Sequence, residues 1–158
     1  MPTKCSGESA LDMVRYQLVI DVHDPVREAT FWAAALAYEP EPPPAGFDTW
    51  NAYYTRLGVP ENELIEGTDS IVDPAGGGPR IWFHAVPESK ICKNRLHLDI
   101  RVSGGLGIPM ETRKERVELE AAKLVGLGAT RLETLEEAGV EWYAVAMADP
   151  EGNEFDIN

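Results

Sequence analysis

Three histidines and a few alternating polar and apolar runs hold most of the chemistry this chain could do. In His97-Leu98-Asp99-Ile100-Arg101 every second residue is polar, so an extended backbone places His97, Asp99 and Arg101 on one face. The run Arg80-Ile81-Trp82-Phe83-His84 does the same for Arg80, Trp82 and His84. Such faces bring imidazoles that titrate near neutral pH next to carboxylates and an aromatic plate, which suits acid–base chemistry or the binding of a flat polar molecule. The same spacing also fits a solvated network in which Asp99 pairs with His97 or with Arg101. Other chemistry is poorly supported. Gly76 to Gly78 lack the Lys and Ser/Thr of a phosphate loop, and Gly104, Gly105 and Gly107 lack the dinucleotide-binding spacing, so both read as turns. No G-x-S-x-G elbow is present, and Cys92, among Lys90, Lys93 and Arg95, reads as part of a basic linker.

Those faces need strands to carry them, and the strands recur. Gln17 to Val22 reads Q-L-V-I-D-V and His97 to Val102 reads H-L-D-I-R-V, with Leu18, Ile20 and Val22 in phase with Leu98, Ile100 and Val102. After the first strand, Asp24 and Pro25 supply an N-cap and a first-turn proline for a helix from Val26 to Tyr38 carrying Trp32, Ala35 and Leu36. After the second comes a Gly-rich connection, Ser103 to Pro109. The helix that follows runs from Glu111 to Leu127, with Val117, Ala121, Leu124 and Val125 as its apolar stripe and Gly128 to end it.

Each half then closes in strands around an Asp-Pro turn. Ser70–Val72 and Arg80–Val86 close the first; Val140–Met147, a turn at Asp149–Gly152 and a last strand at Asn153–Ile157 close the second. The chain thus reads as strand, helix, three strands, twice over, although the first of the three is poorly marked in the first half. Residues 1–13 read as a loose tail, 14–88 as the first module with an insertion at 40–67, and 89–158 as the second module, within one compact domain. The insertion holds a short helix from Asp48 to Leu57 with Trp50, Tyr53 and Tyr54, as core cover or as a lid.

Fourteen basic residues against twenty-seven acidic ones leave a net charge of −13 over 158 residues. A surface so acidic repels phosphate backbones and anionic lipid, which moves nucleic acid and membrane down the list of partners and small neutral or cationic molecules up. Two cysteines are too few for a disulfide framework, and Met1 to Ala10 lacks the apolar core of a signal peptide, so a cytoplasmic protein is expected.

The duplicated module, V-x-D-P before the first helix, F-W-A-A-A-L within it, N-R-L-H-L-D-I at the midpoint, and L-x-x-L-G-A-T followed by A-D-P-E-G-N-E-F near the end together resemble the vicinal oxygen chelate superfamily. More narrowly, the chain looks like the glyoxalase-like proteins grouped with bleomycin resistance proteins and extradiol dioxygenases. The resemblance implies an α+β fold of two βαβββ modules in a curled mixed sheet around a cleft. It also implies a divalent metal, zinc, nickel, iron or manganese, held by residues of each module's first and last strands. Carried over, these positions fall on Gln17, His97 and Asp156. The fourth falls on Trp82, which cannot bind a metal and leaves the enzyme pattern short of a carboxylate. His84, two residues on along the same strand face, could replace it, giving Gln17, His84, His97 and Asp156 as the metal set.

The expected ligand-binding wall is Gln17, Arg80, Trp82, His84, His97, Asp99, Arg101 and Asp156, with His97 and His84 as catalytic residues. Two functions follow from the resemblance: a metal-dependent lyase, isomerase or dioxygenase acting on a small oxygenated substrate, or a metal-free protein that sequesters a drug or antibiotic as bleomycin resistance proteins do. A third reading is a metal-free catalyst using His84, His97 and Asp99. Glutathione-type glyoxalase activity is disfavoured by Trp82. A homodimer is also expected, in which Gln17 and His84 of one copy face His97 and Asp156 of the other.

Overall fold

Alternation from Gln17 to Val22 makes β1, with Leu18, Ile20 and Val22 turned toward the core and Gln17, Val19 and Asp21 turned away. The structure, a computed structural model, describes residues 16–137 and 140–158; the expected loose tail at 1–13 lies outside the described residues. Asp24 caps α1 (Pro25–Leu36) by accepting from the Arg27 N–H at 3.1 Å, and Pro25 opens it. This helix is shorter than the sequence suggests, because Ala37 turns left-handed at φ 55° and ends it. The chain then enters β2 (Glu39–Pro40), the poorly marked strand of the first module.

The insertion follows: α2 (Trp50–Arg56), capped by the Thr49 hydroxyl, then a single 3₁₀ turn at Glu61–Glu63. β3 (Ser70–Val72) and β4 (Arg80–Ala85) complete the first module. The Asp73 carboxylate organises the turn between them, accepting from the backbone of Ala75, Gly77 and Gly78, which holds its carboxyl below the usual range. Gly78 leaves room there for the Tyr38 hydroxyl, into which a Cβ would run unless the tyrosine moved.

The second module repeats the order with β5 (Asp99–Ile100), α3 (Met110–Gly126), β6 (Thr130–Glu136), β7 (Tyr143–Ala148) and β8 (Glu154–Ile157). The strand expected over His97–Val102 keeps only two residues of regular ladder. Even so, the Asp156 N–H still bonds to the Leu98 carbonyl and the Val102 N–H to that of Asn158. On α3 the buried stripe is Val117, Ala121 and Leu124; Val125 is half exposed, because one further residue turns it about 100° off the stripe. Gly128, at φ +110°, ends the helix as expected.

The strands form two four-stranded mixed sheets, β1-β4-β3-β2 and β5-β8-β7-β6, with β1–β4 and β5–β8 parallel and the remaining pairs antiparallel. Each module therefore has the expected topology, but the sheets remain two. What joins them is a shared core. Phe31 and Trp32 of α1 meet Phe155 of β8 edge to face, with centroids 6.0 and 5.1 Å apart. Around that contact the Glu151 carboxylate of the second module accepts from the His23 and Asp24 N–H groups of the first. None of the described helices is long and apolar enough to cross a membrane.

Candidate functional site

The first strand of each module is the free edge of its sheet, and between these edges lies a cavity of about 280 Å³. Leu18 and Ile20 of β1, Leu96 and Leu98 before β5, and Trp32 of α1 give it apolar walls. Its polar groups are Asp21, Asn94, His97, Asp149, Asn153 and Glu154, so among the described residues no lysine or arginine lines it. Size and lining suit a small organic molecule that is neutral or cationic.

Next to this cavity the second module gathers a donor cluster. The register pairs Asp99 with Asp156 across β5 and β8, and period two puts His97 on their face. His97 Nδ1 lies 3.0 Å from an Asp99 oxygen and 3.9 Å from an Asp156 oxygen. One donor atom from each of the three residues falls within 4.8 Å of the others. Among the described residues neither carboxylate has a lysine or arginine within ion-pair distance. Burial, reinforced by Asp99 and opposed by His97, raises the Asp156 carboxyl above its ordinary value. One imidazole and two mutually repelling carboxylates converging on a point are the donor types that could hold a borderline divalent cation such as zinc, iron, nickel or manganese.

The first module's face is built differently. Arg80 is its hub: Nε donates to Glu41, Nη1 to the Gln17 side chain and Nη2 to the Ser70 hydroxyl, all at 2.8 Å. Trp82 donates its indole N–H to Asp69 at 2.9 Å. His84 Nδ1 lies 3.1 Å from Asp21, and its ring tilts against Trp82 at 4.8 Å. Of the residues expected to share a metal, the structure therefore brings together His97 and Asp156, adds Asp99, and gives Gln17 and His84 other partners. Of the two pairings open to Asp99, the structure has the one with His97, and Arg101 follows directly after β5. Cys92 is exposed on the linker.

Asp21, Asn94 and Glu154 were not foreseen. Asp21 was within reach of the sequence, since equal offsets along parallel strands pair Gln17 with Arg80, Val19 with Trp82 and Asp21 with His84. Glu154 draws the linker onto the second sheet by accepting from the Asn94 N–H and the Lys90 ammonium, both at 3.0 Å, which pulls its carboxyl down to about 2.

The sequence matches the family described as the glyoxalase-like domain over residues 17–158. The chain belongs to that family. Solved structures share this glyoxalase-like fold at low identity. A glyoxalase/bleomycin resistance protein/dioxygenase family enzyme from Burkholderia phytofirmans is 18% identical with a TM-score of 0.56, the match covering 90% of this chain and 94% of that one. The fosfomycin resistance protein FosX from Listeria monocytogenes is 11% identical, TM-score 0.56, over 92% and 90% of the two chains. The oxidase ChaP-H2 is 14% identical, TM-score 0.51, over 93% of each. Among curated proteins none matches the chain. At these identities the solved structures establish the glyoxalase-like fold, and the chemistry must be argued from this chain's own site.

Proposed function

We propose that this glyoxalase-like protein is an enzyme that takes a small neutral or cationic organic molecule into the seam cavity, beside a divalent cation held by His97, Asp99 and Asp156. The observation that carries this reading is the convergence of those three donors within 4.8 Å at a residue, His97, that also lines the cavity. A cation bound there supplies Lewis-acid stabilisation to adjacent substrate oxygens, the chemistry of a lyase, isomerase or dioxygenase. The chain's own groups do the rest. Leu18, Ile20, Leu96 and Leu98 hold the apolar body of the ligand and keep water out. Asp21, which lines the cavity, also contacts His84 Nδ1 and so ties that imidazole, itself outside the lining, to the first module's edge of the cavity.

Elemental analysis by mass spectrometry, on protein purified without chelator or nickel affinity, tests the metal. Near-stoichiometric zinc, iron, nickel or manganese that disappears on His97→Ala is the expected result; protein that stays empty after reconstitution overturns it. The second reading, metal-free sequestration, is favoured by the apolar walls and by a lining that, among the described residues, is acidic or neutral apart from His97. Tight stoichiometric binding of a cationic aromatic compound, without metal and without turnover, would decide for it. The enzyme reading extends to a homodimer in which Gln17 and His84 face the other copy's His97 and Asp156, and a strict monomer in sedimentation overturns that extension.

A further inference from the structure

Glu28 sits on α1 one turn before Trp32, on the helix face that meets the second module, and it is fully buried. No donor reaches either of its carboxyl oxygens. The charged groups that face it are Asp149 and Glu151 from the turn of the second module and Arg27 on its own helix. The Arg27 Nε stands 3.8 Å away and its side chain is half in water. A buried acid with acidic neighbours and no donor keeps its proton. Burial first, and Asp149 second, push its carboxyl up to about 9.

A neutral carboxyl has what an ionised one lacks, an O–H to donate, and Asp149 is the acceptor beside it. The Asp149 oxygens already take the Trp32 indole N–H and the backbone N–H groups of Glu151 and Asn153. Both Asp149 and Trp32 wall the seam cavity. We propose that Glu28 is a proton-operated latch between the modules: neutral, it donates to Asp149 and closes α1 onto the 149–152 turn; ionised, it sets a second anion against Asp149 in a dry contact and loosens the cavity wall. The latch involves none of the cation donors, so it stands or falls apart from the metal reading.

The test follows the Trp32 indole N–H by NMR, and the melting temperature, as functions of pH in the wild type and in Glu28→Gln, whose amide can donate but does not titrate. A group whose folded pKa is raised contributes its stability in full below its unfolded value near 4.5 and loses it as pH rises through about 9. The wild-type melting temperature should therefore carry a downward component between those limits that levels off above them, and the Trp32 signal should shift with a midpoint near 9. Glu28→Gln should remove both. A Trp32 signal that does not titrate there, or that titrates identically in Glu28→Gln, overturns the latch. Should the variant not fold, the carbon-13 carboxyl signals of the wild type decide: one glutamate still protonated at neutral pH supports the proposal, and a full set of ionised glutamates overturns it.

Discussion

At matching places in the two sheets, β1 pairs Gln17 with Arg80 and Val19 with Trp82, whereas β5 pairs Asp99 with Asp156 and is preceded by His97. Since Leu18 repeats as Leu98, Gln17 corresponds to His97, Val19 to Asp99 and Trp82 to Asp156. One face has been rebuilt around an internal cation: the Arg80 guanidinium satisfies Glu41, Gln17 and Ser70 and needs nothing from solution. Among the described residues, the other face keeps two carboxylates on one imidazole with no lysine or arginine in ion-pair contact with them, Lys93 acting on Asp156 only from a distance. A duplicated fold thus offers the same geometry twice and can use it differently, as a rigid wall in one copy and as a donor set in the other.

The sharpest way to break this comparison is to remove the corresponding residue from each face. His97→Ala should lower metal affinity by about a hundredfold or more, beyond what loss of an outer-shell partner costs. Gln17→Ala should leave metal content unchanged. An equal drop in both variants, read by elemental analysis, would mean that the two faces share one site after all.

A smaller effect is expected from the internal cation. Arg80→Met keeps much of the length of the side chain but leaves the Glu41 carboxylate and the buried Ser70 hydroxyl each short of a partner. Discounted for the partial exposure of the pair, the cost should be about 1–3 kcal/mol in denaturant unfolding, with metal content unaffected. A change within about 0.5 kcal/mol would show that the network is only a solvated surface and that the first module has no rebuilt wall.

Much of the architecture could be read because its signals are local. The period-two run of β1, the Asp24-Pro25 start of α1 and the glycine after α3 each depend on neighbours a few residues away. The donor pair His97 and Asp156 was legible through the repeat and the resemblance, and Asp99 through alternation. What could not be read depends on contacts between distant segments. β6 is exposed along almost its whole length, so its sequence carries no clean alternation. Glu28 looks like the wet face of an amphipathic helix, and its burial is decided by a turn more than a hundred residues later. The partners of Gln17 and His84 required the β1–β4 register, which hydrophobic patterning alone leaves free.

The smallest expected effect concerns how the second face is held open to its cavity. Glu154 stands beside the donor cluster on β8 and lines the cavity, yet its carboxylate turns to the linker, taking the Asn94 N–H and Lys90. Because its carboxyl is lowered to about 2, the tie is complete above the ordinary glutamate value near 4.5 and is lost as pH falls toward 2. Glu154→Gln should leave metal content as it is and shift the melting temperature at neutral pH only slightly, since the Glu154–Lys90 pair is partly exposed and screened by solvent. The Asn94 amide, however, should exchange faster than in the wild type, and its protection should no longer fall over the acidic range. If that protection keeps its acid dependence in the variant, another carboxylate holds the linker. The second module's open face would then owe its shape to the linker's own packing rather than to Glu154.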